Sequence, residues 1–211
     1  MFKPLSLHSS CSTRFRDFSE RKLQRHFLAP VHEMFRYPLG PKKAQTLFEF
    51  TIANNLLSVV SGLSALCYKS TRKPGDSGNR FRKILVDHYP WSEEPSLPST
   101  RDDWASELYK TYRNPLAHAL GVDEKGNRVE FLRIRVRSHG RLRGHSEKEL
   151  EAMESSATRP SWSATLKKDA SRTILHLEGF YWGVRKLTEI LSGSATHMAI
   201  ADDYLRKKAN W

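Results

Sequence analysis

The stretch that decides the fold is Lys42-Lys43-Ala44-Gln45-Thr46-Leu47-Phe48-Glu49-Phe50-Thr51-Ile52-Ala53-Asn54-Asn55-Leu56-Leu57-Ser58-Val59-Val60-Ser61-Gly62-Leu63-Ser64-Ala65-Leu66-Cys67-Tyr68-Lys69. Phe48, Ile52, Leu56, Val59, Val60, Leu63 and Leu66 recur at three- and four-residue steps, the period of one helical face. Leu47, Phe50, Leu57 and Ala65 widen that face into the broad stripe of a helix buried in a bundle. About 28 residues at 1.5 Å each make a rod of roughly 42 Å. Pro41 precedes it, where a proline fits the first turn. Gly62 is read as a place where a second helix comes close. The most apolar part, Leu56 to Tyr68, is broken by serines and is read as too short to span a bilayer, so no membrane is expected as a partner.

Outward from this helix the chain is punctuated by turn signals. Residues 70–79 read as a loop, and a short helix is expected over 80–88, with Phe81, Ile84 and Leu85 inward. Pro90, Pro95 and Pro98 mark another loop. Ser99 or Thr100 then caps a helix from Arg101 toward Leu120, with Asp102 and Asp103 at its positive end. Trp104, Leu108 and Tyr112 line its inner face. Past Gly121 the period changes. Residues 129–136 alternate, with Leu132, Ile134 and Val136 on one face and Arg133, Arg135 and Arg137 on the other. A second strand is expected over 171–177, paired with the first. Ser146-Glu147-Lys148-Glu149 is a capping-box pattern opening a short helix to about Ser155. Closing helices are expected over 179–191 and 195–209. Residues 1–40 read as a basic N-terminal extension of modest structure, with a short amphipathic helix around Phe27, Val31, Met34 and Phe35. Residues 41–211 form the domain proper.

Charge and cysteine content narrow the function. There are 35 Lys and Arg against 23 Asp and Glu, a net charge of +12. Such a balance favours polyanionic partners, nucleic acid first, with plain solubility as the alternative. Cys11 and Cys67 do not form a CxxC pair, which argues against a disulfide framework or a thiolate metal site and fits a reducing, cytoplasmic compartment. Gly121 to Gly126 has the glycine spacing of a phosphate loop, but Asn127 and Arg128 follow where Lys and Ser or Thr are required. His139 and His145 sit among arginines, which repel a cation. No metal site and no cofactor are expected.

The remaining chemistry is concentrated in Arg113-Asn114-Pro115-Leu116-Ala117-His118. Arg grips phosphate bidentately and keeps its charge, His moves a proton near neutral pH, and Asn donates and accepts at once. Asn114 and His118, four apart, share a helical face. Arg113 stands about 140° away by the 3.6-residue period, and Pro115 supplies a bend that brings it back toward His118.

Tyr112 to Ala119, with the helix from Trp104 that leads into it, resembles the signature of HEPN domains: Arg, a polar residue that is often Asn, three variable positions, then His. The resemblance implies a mainly α fold, a HEPN-like antiparallel helical bundle, here with a small β-hairpin after the motif helix, inserted around 129–177. It implies a metal-independent endoribonuclease. Arg113 and His118 are then catalytic, with Asn114 orienting them. The 2′-hydroxyl of RNA is the nucleophile, and a 2′,3′-cyclic phosphate and a 5′-hydroxyl are the products. One His per motif is thin for two proton transfers, and the family commonly dimerises so that two motifs face one cleft; a homodimer is expected on that basis. Toxin–antitoxin or defence biology, with an antitoxin protein as partner, is a common setting of the family. Arg133, Arg135 and Arg137 are the candidates to track the RNA backbone, with a solvated sheet face as the alternative. The competing reading of the whole chain is a non-catalytic HEPN-like module that binds nucleic acid or protein.

Overall fold

The computed structural model describes residues 2–37, 42–71, 73–91, 101–114, 116, 130–133, 136–138, 141–156, 166–169 and 172–208. The chain is mainly α. The helices are α1 (Thr13–Phe18), α2 (Ala29–Arg36), α3 (Lys42–Cys67), α4 (Asp76–His88), α5 (Arg101–Glu107), α6 (Glu147–Ser156), α7 (Leu177–Ser192) and α8 (Ala195–Lys207). Two stretches between or after them are π-helical, with i→i+5 hydrogen bonds: Ser19–Leu28, joining α1 to α2, and Leu108–Arg113, extending α5.

Helices α3 and α7 carry the centre of the core. Ile52, Leu56, Val60 and Leu63 of α3 pack in one cluster with Phe180, Tyr181, Val184, Leu187 and Leu191 of α7. The periodic stripe read in the sequence is therefore the buried face. The apolar segment is longer than the sequence reading allowed: Phe48–Cys67 has the length and composition of a membrane span. Its apolar face is nevertheless taken up by the protein's own core. Gly62 does not mark a close approach. It is exposed, and a Cβ built there meets nothing within 4 Å.

The N-terminal segment corrects the expectation of a loosely structured extension. Phe15, Leu23, Leu28, Val31 and Phe35 are buried in the same core as α3 and α7. In the π-helical stretch the buried residues are Ser19, Leu23, Gln24 and Leu28, at i, i+4, i+5 and i+9, the spacing a widened helix needs to keep one face inward. The expected loop at 70–79 is shorter than read. Helix α4 begins at Asp76, after Gly75 takes a left-handed turn at φ 74°. The Asp76 carboxylate accepts from the Ser70 hydroxyl at 3.0 Å and the Thr71 hydroxyl at 2.7 Å, tying the turn to the helix.

The strands are β1 (Glu130–Leu132), β2 (Val136–Ser138), β3 (Arg141–Arg143), β4 (Leu166–Asp169) and β5 (Arg172–His176). The expected pairing of the first and last strands is present but parallel: Glu130 pairs Ile174 and Leu132 pairs His176. A parallel pair needs a crossover rather than a tight turn, and α6 lies in the intervening chain. The antiparallel pairs are β4 with β5 and β2 with β3. The capping box at α6 is realised: Ser146 N–H donates to the Glu149 carboxylate at 2.7 Å, and Glu149 N–H donates to Ser146 Oγ at 3.3 Å.

Candidate functional site

The motif is carried by α5 and its π-helical extension. Trp104, Ala105, Leu108, Tyr112 and Leu116 face inward. Tyr112 is fully buried, and its hydroxyl donates to Thr173 O at 2.5 Å and is 3.2 Å from Glu130 O. One phenol thus ties the turn before the motif to both strands of the parallel pair. Burial raises its pKa, which keeps it a donor. Beside it, Glu107 Oε1 accepts from the Thr111 hydroxyl at 2.7 Å and from the Thr173 hydroxyl at 3.0 Å, a second tie from the motif helix to β5.

Arg113 is half-buried. Its Nε donates to Ser61 Oγ of α3 at 3.4 Å, and its guanidinium carbon lies 5.8 Å from the centre of the Tyr109 ring. Tyr109 sits four residues earlier, so the stacking follows from helical spacing. The Tyr109 ring is itself held against Phe81, 5.6 Å between centres, and over Gly78. A Cβ at Gly78 would stand 2.7 Å from that ring, so this glycine makes room for the tyrosine that braces the arginine.

Asn114 is half-buried and closes the π-helical turn, its backbone N–H bonding Tyr109 O. A turn of this kind re-aims the side chains that follow it and recurs at functional sites. It also suits the sequence. A proline at 115 has no N–H to give and crowds the carbonyl four residues back in an ordinary α-helix.

Of the six residues read as site candidates, the structure places Arg113 and Asn114 side by side where the π-helical turn closes. His118 and Arg135 lie outside the described residues. Arg137 is placed in β2 by its backbone, and its side chain is outside them. Arg133 requires a correction. It is 3% exposed, and its guanidinium donates to Phe35 O at 2.6 Å and Tyr37 O at 3.0 Å. It caps the carbonyl end of α2 and offers no surface charge. Its neighbour Leu132 is 40% exposed. The alternation at this point therefore runs opposite to the sequence reading, leucine out and arginine in.

Sequence reasoning missed Ser61, Tyr109, Glu107 and Thr173. The first two brace Arg113, and the last two fix the helix that carries it. Only Tyr109 left a signal, its four-residue spacing from Arg113. Ser61 and Thr173 reach the site through tertiary packing. Among the described residues, no group of three or more His, Cys, Asp or Glu side chains is placed to hold a metal ion. The chain matches no protein-family model, no curated protein and no solved structure.

Proposed function

We propose that the chain is a metal-independent endoribonuclease of the HEPN type, a helical bundle acting as a homodimer in a reducing, cytoplasmic setting. The observation that carries the reading is the Arg113-Asn114-x-x-x-His118 pattern together with the bracing of Arg113 at a widened helical turn. In this mechanism the 2′-oxygen of a ribose attacks the adjacent phosphorus and the bond to the 5′-oxygen breaks. An imidazole at 118 accepts the 2′-hydroxyl proton. A second copy of the motif across the dimer returns a proton to the leaving 5′-oxygen. Arg113 stabilises the charge that grows on the phosphate oxygens, and Asn114 orients the two groups. Arg135 and Arg137 remain the cations proposed to follow the RNA backbone. A toxin or defence role with an antitoxin partner is the biological setting the reading suggests.

The second reading is a non-catalytic HEPN-like module. It draws on the same contact: Arg113 already engages Ser61 and Tyr109 within its own chain, as a residue serving packing does. Incubation with RNA in EDTA separates the two. The enzyme reading expects cleavage to products ending in 2′,3′-cyclic phosphate. It expects His118→Ala and Arg113→Ala to lower the rate by about 100-fold or more with the helical spectrum unchanged. RNA left intact by the wild-type chain, or cut equally fast by His118→Ala, sinks it.

A further inference from the structure

With Arg133 turned inward, positive surface charge among the described residues lies on other elements. Some exposed cations are paired, and others, among them Lys69, Lys73, Lys110, Lys148 and Lys208, have no ion pair among the described residues but are spread over separate segments. Lys83 meets Asp87 at 3.0 Å, Lys186 meets Glu189 at 3.3 Å, and Arg206 and Lys207 share Asp203 at 2.8 and 2.5 Å. The N-terminal helix gathers such cations along one element. Arg14, Arg21, Lys22 and Arg25 are all exposed, and none has an ion pair among the described residues. Two carboxylates, Asp17 and Glu20, are exposed on the same helix, so this stretch keeps an excess of positive charge.

The widened helix makes this a surface rather than a scattering of charges. Turning Ser19, Leu23, Gln24 and Leu28 inward leaves Arg21, Lys22 and Arg25 together on the outside, and Arg14 extends them along α1. Eleven residues separate Arg14 from Arg25, roughly 15 Å along the axis. The same burial argues against one mode of polyanion binding, insertion into a bilayer. An amphipathic helix that binds a bilayer inserts its apolar face, and here Phe15, Leu23 and Leu28 are already in the protein core. What is offered outward is mainly charge, and three of the four cations are guanidinium, the chemistry suited to phosphodiester oxygens.

We infer that the exposed face of the N-terminal helix, Arg14, Arg21, Lys22 and Arg25, is a docking surface for the phosphate backbone of single-stranded RNA. The choice of RNA among nucleic acids rests on the proposed function; the surface itself does not. The helix packs directly on α3, the helix whose Ser61 contacts Arg113, so RNA-backbone docking and the motif share one rigid support.

The test uses the full chain, a fluorescent 2′-O-methyl RNA 20-mer that has no free 2′-hydroxyl to attack, and anisotropy titrations from low to high salt. Each phosphate contact to a single strand contributes about 0.7 to the slope of log affinity against log salt. The variant R14Q/R21Q/K22Q/R25Q is expected to lose about 3 from that slope and roughly tenfold or more in affinity at 0.1 M salt. K83Q/K186Q/R206Q/K207Q, which removes as many positive charges from paired sites, is expected to change the slope by less than about 1. Circular dichroism and the urea midpoint verify that both variants fold. An unchanged slope in the first variant, an equal loss in both, or wild-type binding to phosphatidylserine vesicles but not to the oligonucleotide overturns the inference. Loss of slope in the first variant without cleavage of ordinary RNA by the wild type keeps this surface and retires the nuclease. Cleavage with an unchanged slope does the reverse.

Discussion

Arg133 shows why residue type and periodicity do not settle which way a side chain points. The last carbonyls of a helix have no partners within it, and a cation near them also meets the negative end of its dipole. At the end of α2 the carbonyls of Phe35 and Tyr37 are served by Arg133, and Phe35 O also accepts the backbone N–H of His145 at 3.0 Å. Burial lowers the Arg133 pKa, with Glu178 pulling the other way, and the guanidinium carbon lies 5.6 Å from the centre of the Phe35 ring. Arg133→Met takes the guanidinium from Tyr37 O and leaves Phe35 O with the His145 N–H alone, and is expected to cost about 1–3 kcal/mol in urea unfolding. Its RNA affinity is expected to stay within about twofold of wild type. A surface arginine that binds RNA gives the opposite pattern, affinity lost and stability kept.

At the scale of elements, the N-terminal helix carries both the largest correction and a direct test. If residues 13–36 belong to the core, Leu28→Ala opens a cavity between that helix and the rest. Unfolding is then expected to become easier by about 3 kcal/mol, read as a lower urea midpoint with an unchanged slope. An appendage predicts no change. The sequence reading found only the later part of this helix, around Phe27 to Phe35; the π-helical stretch before it buries Leu23, Gln24 and Leu28 at four- and five-residue steps, with a glutamine among them. By contrast α3, α7 and α8 keep ordinary spacing and were legible nearly to their ends. Strands were legible from alternation at 129–136 and 171–177 but not at β3 and β4, and strand direction was not legible, because no local feature distinguishes a parallel partner from an antiparallel one. The candidate site divides the same way. Arg113 and Asn114 stood out as a motif, whereas Ser61 and Thr173 are 52 and 60 residues from Arg113 in the chain and meet the motif helix only through the fold.

For the molecule as a whole, the buried histidines set how stability responds to acid. Burial lowers the pKa of His32, His88 and His197 from the ordinary value of 6.5. His32 is satisfied while neutral: its Nε2–H donates to Glu147 at 3.2 Å and its Nδ1 accepts from the Tyr181 hydroxyl at 3.3 Å. His88 and His197 meet edge to face, 4.6 Å between ring centres. Burial is the main cause for both rings, His197 adds to it at His88, and Asp87 works against it more strongly than Lys83 works with it. For each histidine the unfolded chain binds a proton near pH 6.5 that the folded chain still refuses. Protonation therefore favours unfolding, and stability rises with pH across this range. The carboxylates act in the same direction but lower down. Glu149, hydrogen-bonded to Arg143 and then to Ser146, is held down to about 2, so its contribution is lost only as pH falls below the ordinary carboxylate range. The melting temperature is thus expected to be flat above about pH 7 and to fall from there toward pH 5, before the carboxylates titrate. His88→Gln with His197→Gln should flatten that first decline and leave the acid limb below pH 4 in place. A wild-type melting temperature constant from pH 7.5 to 5, or a decline that survives both substitutions and His32→Gln, shows that these rings do not carry it.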